Sequence, residues 1–96
     1  MKSAFEFIQR DLASLSIQTE LLEYLDWDED ALQLFTEKVS EIISGPMIIQ
    51  DNYEMQLQSI KRKIVPIAGE KPAELIIKLI RNHEEEIINF EKENLN

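Results

Sequence analysis

Apolar residues recur along this chain at the three- and four-residue spacing that places side chains on one face of an α-helix. The first run predicts one long helix from about Ser3 to Leu25. Its apolar face comprises Phe5, Ile8, Leu12, Leu15 and Leu22. Ser14, Ser16 and Thr19 weaken the middle of this helix, because their side chains compete for backbone hydrogen bonds. The alternative interpretation is a break near Ser16, which would give two shorter helices.

A second helix is expected to begin at Asp26. This residue is a good N-cap, Glu29 completes a capping pair, and further acids favour the positive end of the helix dipole. The apolar face comprises Ala31, Leu32, Phe35, Val39, Ile42 and Ile43. Gly45 followed by Pro46 is expected to end this helix, since neither residue continues an α-helix well.

The third helix has two alternative starts. Pro46 suits a first helical turn, whereas Asp51 forms a capping pair with Glu54. Met47 to Ile49 are therefore either helix or loop. The apolar face that follows comprises Leu57, Ile60 and Ile64.

Pro66 and Gly69 are expected to close the third helix, which places the basic cluster 61–63 in its last turns, where cations favour the dipole. The alternatives for this cluster, Lys61-Arg62-Lys63, are a contact with the acidic residues 20–30 of the same chain or a head-to-tail contact between protomers. Pro72 opens a fourth helix. Its apolar face comprises Ile76, Leu79, Ile80, Ile87 and Phe90.

Four helical patterns with short connections and almost no strand signals predict an all-α fold. Short links make neighbours in sequence neighbours in space, so we expect a small antiparallel up-down bundle of about four helices. The 44% hydrophobic content is too high for a disordered chain, and 96 residues suffice for one core without a disulfide or a metal. Residues 1–96 are therefore expected to form a single domain.

The net charge of −9 changes the choice of partners. Direct nucleic-acid binding is not expected, because it normally needs a basic surface. Membrane association is not expected either, since the longest uncharged stretch is only the nine residues 42–50. A secretory signal peptide needs an uninterrupted apolar region near the N-terminus. Glu6, Arg10 and Asp11 interrupt the apolar run there, so the cytoplasm is the expected compartment.

The negative charge is concentrated in the segment 20–30, called the acidic segment below, which holds six acids, no basic residue and the only Trp. Aromatic rings surrounded by carboxylates are typical of a surface that docks a basic protein. The predicted partner-binding residues are Glu20, Glu23, Tyr24, Asp26, Trp27, Asp28, Glu29 and Asp30. The alternative is a well-capped helix start over which Trp27 folds as a hydrophobic staple.

Catalytic chemistry has little support in the sequence. Glu20, Glu23 and Asp26 are spaced similarly to the acids of all-helical magnesium-dependent nucleotide pyrophosphohydrolases, but the matching run 84–86 is expected to point outward. His83 is the only histidine, and we expect a packed or rim residue with a local hydrogen-bond partner. There is no Cys and no glycine-rich phosphate loop. We therefore expect no catalytic residue, cofactor or metal.

These patterns together predict a non-enzymatic protein-binding module that captures a basic partner protein in an inhibitor, immunity or adaptor role. An alternative is a self-associating assembly or scaffold subunit that forms homo-oligomers through an exposed apolar helix face. The remote alternative is a metal-dependent nucleotide hydrolase.

Overall fold

A computed structural model describes residues 4–43 and 53–94 of the chain, and these ranges are helical throughout apart from short connections. The helices are α1 (Ala4–Leu12), α2 (Leu15–Tyr24), α3 (Glu29–Ile42), α4 (Tyr53–Ala68), α5 (Glu70–Asn82) and α6 (Glu84–Asn94). The all-α class is therefore confirmed, but the expected number of about four helices is wrong, because the described ranges form six. The up-down order of the whole bundle and the single domain over 1–96 stay predictions.

The predicted continuous helix from Ser3 to Leu25 is wrong, because Ser14 separates α1 from α2. Its backbone is extended, and its hydroxyl accepts a hydrogen bond from the Ile17 N–H at 3.4 Å. The same hydroxyl donates to the Asp11 carbonyl at 2.7 Å. One serine side chain thus stabilises the end of α1 and the start of α2 together. The alternative of two shorter helices is correct, with the break two residues before Ser16.

This break changes which residues of α2 face the core. The continuous helix predicts Leu15 and Leu22 on the apolar face, yet Leu15 is 80% exposed and Leu22 is only half-buried. Leu21 is fully buried instead. An interruption resets the 3.6-residue phase of the helix, so the residues beyond it present a different face to the core.

The predicted fourth helix is also divided, at His83. This residue is the C-cap of α5, and its carbonyl accepts a hydrogen bond from the Ile87 N–H of α6 at 2.9 Å. No glycine or proline marks this boundary in the sequence. The run of acids in the first turn of α6 favours a new helix start, because negative charge stabilises the positive end of the helix dipole.

The helices α4 and α5 form an antiparallel hairpin that turns at Gly69. Arg81 near the end of α5 makes two hydrogen bonds of 3.0 and 2.9 Å to Glu54 near the start of α4. Lys61 and Glu74, nearer the turn, form a second ion pair at 3.8 Å. Hydrogen bonding to the Arg81 guanidinium lowers the pKa of the Glu54 carboxyl below its ordinary value.

The end of α4 differs from the sequence prediction. Pro66 lies inside the helix, which continues to Ala68, so the basic cluster 61–63 does not occupy the last turn. The Gly69 N–H then donates to the Val65 carbonyl at 2.8 Å. Gly69 has a φ of 94°, and nothing lies within 4 Å of the position that a Cβ would occupy. Glycine is therefore required by the backbone conformation and not by the available space.

The core gathers side chains from all six helices, and α5 contributes more of them than any other helix. It packs against α1, α2, α4 and α6, while α3 packs against α1, α2 and α4. Phe7 and Phe90 add an edge-to-face contact between α1 and α6 with ring centroids 5.7 Å apart. The buried apolar residues are Phe5, Ile8, Leu12, Leu21, Phe35, Val39, Ile43, Leu57, Ile60, Ile64, Ala73, Leu75, Ile76, Leu79, Ile80 and Ile87.

Most predicted apolar faces agree with this core, including Phe35 and Val39 of α3. Several other predictions lie outside the described residues: the stop at Gly45 and Pro46, the start at Asp51, and the state of the segment 47–49. Among the described helices, none is both long and apolar enough to cross a membrane.

The role of Ser14 as a helix cap gives a prediction with a definite sign. Ser14→Ala is expected to lower the free energy of unfolding by about 1 kcal/mol, because the first turn of α2 loses its side-chain acceptor. Ser16→Ala is the matched control: Ser16 is exposed within α2, where alanine is the better helix former. Urea denaturation measures both changes. A stabilised Ser14→Ala protein would instead indicate a continuous first helix.

Candidate functional site

The acidic segment forms the corner between α2 and α3. Glu20, Glu23 and Tyr24 belong to the second half of α2, and Glu29 and Asp30 form the first turn of α3. The residues 25–28 connect the two helices. All six carboxylate side chains of the segment are exposed, so its charge faces solvent.

Hydrogen bonds fix the end of α2 although it contains no glycine. The Trp27 N–H donates to the Leu22 carbonyl at 2.7 Å, and the Leu25 N–H donates to the Leu21 carbonyl at 3.0 Å. Asp26 and Trp27 have φ values of 56° and 61°. The bond from Trp27 and the left-handed Asp26 are the features of a Schellman helix end, at which glycine is the usual residue.

The N-cap of α3 is Asp28, so the predicted N-cap at Asp26 is wrong. The Asp28 carboxylate accepts hydrogen bonds from the backbone N–H groups of Asp30 at 3.0 Å and Ala31 at 3.2 Å. Asp26 has the left-handed backbone of the α2 end, whereas an N-cap residue has an extended backbone, so Asp26 does not cap α3. The sequence offered acids at both positions, and the length of the turn selects the later one.

Trp27 is 60% exposed, so more than half of this residue faces solvent, and the alternative of a staple over the helix junction stays a prediction. Leu25 and Leu32, on either side of the corner, pack against the core. Tyr24 is 44% exposed. The corner therefore presents an indole ring and part of a phenol ring to solvent, as a docking surface would.

Glu20 and Tyr24 lie beside basic residues of α5. They line a depression of about 220 Å³ between α2 and α5, and Lys71 and Lys78 of α5 lie on its other side. Two cations thus partly neutralise this side of α2. The remaining acids, Glu23, Asp26, Asp28, Glu29 and Asp30, together with Trp27, are called the acidic corner below.

Lys71 and Lys78 are residues that sequence reasoning missed. They stand seven residues apart on α5, and this spacing indicates a shared helix face. The sequence pattern does not reveal that this face lies opposite α2, because the contact depends on how the two helices pack.

The geometry does not favour the metal-dependent alternative. Glu20, Glu23 and Asp26 lie at α2 and its end, and α2 packs mainly against α1, α3 and α5. The acids 84–86 begin α6, which packs mainly against α1 and α5. Within residues 4–43 and 53–94, no group of three or more acids or histidines is placed to hold a metal ion.

His83 has the local hydrogen-bond partner that its sequence position predicts, and a second partner on another helix. Its ring contacts the carboxylates of Asp11 on α1 and Glu86 on α6, and its side chain is only 21% exposed. Asp11 lies 72 positions away along the chain, so only the packed structure could identify it.

Tyr53, at the start of α4, is a titratable group with a large change in its pKa. Its hydroxyl is buried and has no hydrogen-bond partner of acceptable geometry in the described part of the chain. Burial, together with the nearby carboxylate of Glu84, raises the pKa of Tyr53 to about 12. The phenol therefore stays protonated at neutral pH and is unsuited to act as a base.

The left-handed backbone at Asp26 gives a second testable prediction. Asp26→Gly is expected to raise the free energy of unfolding by about 1 kcal/mol, because glycine adopts a positive φ without steric cost. Glu23→Gly removes the same charge from an exposed helical position and is expected to lower that free energy by about 1 kcal/mol. Thermal denaturation of both variants measures the difference. Changes of the same sign in the two would contradict the helix end described above.

Comparison of the chain with protein-family models, with curated proteins and with solved structures finds no match. The functional conclusion therefore depends on the residues and geometry of this chain alone.

Proposed function

We propose that this protein is a non-enzymatic binding module whose acidic corner docks a basic surface of another protein. The observation that carries this proposal is Trp27, which is 60% exposed at the centre of the corner. A large ring in solvent contributes little to the core, but it can bury much of its area against a partner. Tryptophan is among the residues most often found at the energetic centre of protein interfaces.

The backbone of Trp27 supports the same role. A non-glycine residue in the left-handed region costs about 1–2 kcal/mol, and Asp26 and Trp27 both adopt it. Burial of the Trp27 side chain does not explain this cost, since most of the ring faces solvent. Strain of this kind is often kept where it positions a side chain for function.

The charge around Trp27 defines the chemistry of the partner. No Lys or Arg occurs between Arg10 and Lys38, so this part of the chain carries acids alone. Carboxylates attract and orient a basic surface, and a Lys or Arg side chain stacked on the indole ring would add a cation–π contact. The partner we propose is therefore a basic protein, while direct binding to nucleic acid is not part of the proposal.

An inhibitor, immunity or adaptor role follows from this chemistry. A surface that binds phosphate groups also binds ordered carboxylates, so the acidic corner is suited to covering a phosphate-binding site on its partner. The scaffold we infer keeps the predicted up-down order of helices, which the α4–α5 hairpin supports. The cytoplasm remains the expected compartment.

Affinity capture from a lysate of the source organism, followed by titration of the purified partner, tests the proposal. The corner variant carries Asp26→Asn, Asp28→Asn, Glu29→Gln, Asp30→Asn and Trp27→Ala. Asn at position 28 can still cap α3, so the variant is expected to stay helical, which circular dichroism checks. We expect it to bind the partner at least about 100-fold more weakly, the loss typical of one central anchor.

A matched control variant removes equal charge elsewhere. It carries Glu37→Gln, Glu70→Gln, Glu85→Gln, Glu93→Gln and Met55→Ala, all at exposed positions on other surfaces. This control is expected to keep most of the affinity and to lose mainly association rate. Equal retention of the partner by the wild type and both variants would contradict docking at the acidic corner.

Self-association is the second candidate, because several apolar side chains face solvent. Leu15 is 80% exposed, Met55 is 69% exposed and Leu34 is 53% exposed. Contact between copies of the chain could cover these residues. Light scattering at several protein concentrations separates the candidates: a monomer favours capture of a partner, whereas a tight oligomer that is insensitive to salt favours assembly.

A further inference from the structure

His83 joins three helices through both nitrogens of its ring. It lies at the corner where α5 ends and α6 begins. Its Nε2 atom lies 2.6 Å from Asp11 Oδ2 on α1, and its Nδ1 atom lies 3.1 Å from Glu86 Oε1 on α6. The contact with α1 thus fastens the first helix to the far end of the chain.

The two carboxylate partners determine which protonation state of the His83 ring allows both hydrogen bonds. An ionised carboxylate only accepts hydrogen bonds, so each ring nitrogen must carry a proton to bond its partner. A neutral imidazole has one N–H group and could satisfy only one of the two acids. Both contacts are hydrogen bonds only when His83 is an imidazolium.

The surroundings favour that cation. Partial burial disfavours the charged ring, but hydrogen bonds and attraction from Asp11 and Glu86 outweigh this effect and raise the pKa of His83 above its ordinary value of 6.5. A depression of about 170 Å³ beside the ring is also lined by Glu6 and Arg10. With a neutral His83, three acids would face one arginine there.

We propose that His83 is a protonated clasp that holds α1 against the α5–α6 corner and that releases α1 when the pH rises and the clasp loses its proton. Phe5, Ile8 and Leu12 also bind α1 to the core. Release therefore means that α1 opens more often, while the rest of the core stays packed.

The direction of the pH effect follows from proton linkage. In the open state the ring is free of its partners, so its pKa returns to about 6.5. The clasp contributes fully below that pH, and its contribution disappears as the pH rises through the higher pKa of the closed state. For each unit by which the His83 pKa of the closed state exceeds that of the open state, the equilibrium constant for opening α1 changes by about tenfold.

NMR of the His83 ring nitrogens tests the protonation state directly. We expect both nitrogens to be protonated well below pH 6.5 and the midpoint of the ring titration to lie above 6.5. Glu86→Gln and Asp11→Asn are each expected to lower the pKa of His83, because each removes a charged acceptor. Glu85→Gln is the matched control, since it removes the same charge from an exposed neighbour on α6 and is expected to change the pKa least. A wild-type pKa at or below 6.5 would overturn the proposal.

Hydrogen exchange tests the release of α1. After correction for the intrinsic pH dependence of exchange, protection of α1 amides is expected to fall between pH 6 and pH 9, while α4 amides keep theirs. His83→Gln is expected to show weaker α1 protection that no longer depends on pH. Parallel changes in α1 and α4, or a pH dependence that survives in His83→Gln, would contradict the clasp.

Discussion

Burial of the apolar face of α5 is the constraint on which the remaining packing depends. Its buried residues, Pro72, Ala73, Leu75, Ile76, Leu79 and Ile80, form the centre of the core, and α1, α2, α4 and α6 pack around them. No disulfide reinforces this arrangement, since the chain has no Cys. The hydrophobic effect at α5 is therefore the main force that sets where the other helices can lie. The acidic corner is held in place by α2 and α3, which join this core through Leu21 and Phe35.

The sequence predicts the helical class and most buried positions, because a 3.6-residue apolar period is a local property of the chain. Phe35, Ile64 and Ile76 are examples. The helix breaks at Ser14 and His83 are harder to predict, since neither has a glycine or proline beside it. At Ser14, a side chain that is weak inside a helix becomes a cap for the next one, and the sequence alone leaves both outcomes open.

The candidate site, like the fold, has some features that the sequence predicts and others that depend on how distant parts of the chain pack. The concentration of acids around Trp27 is visible in the sequence, but the exposure of the ring depends on the tight turn at Asp26 and Trp27. The placement of Lys71 and Lys78 opposite Glu20 depends on the packing of α5 against α2. Tertiary packing therefore places a mixed-charge depression beside the corner between α2 and α3.

Docking at the acidic corner requires that the free protein presents Trp27 to solvent within a negative electrostatic field. Because Trp27 is the only tryptophan, collisional quenching of its fluorescence measures both properties in one sample. We expect strong quenching by neutral acrylamide. We also expect quenching by caesium ions to exceed quenching by iodide, once each is scaled to free tryptophan amide, because carboxylates attract cations and repel anions. Protection from all three quenchers would show a buried ring, and stronger quenching by iodide would show that the corner lacks the field that the proposed docking requires.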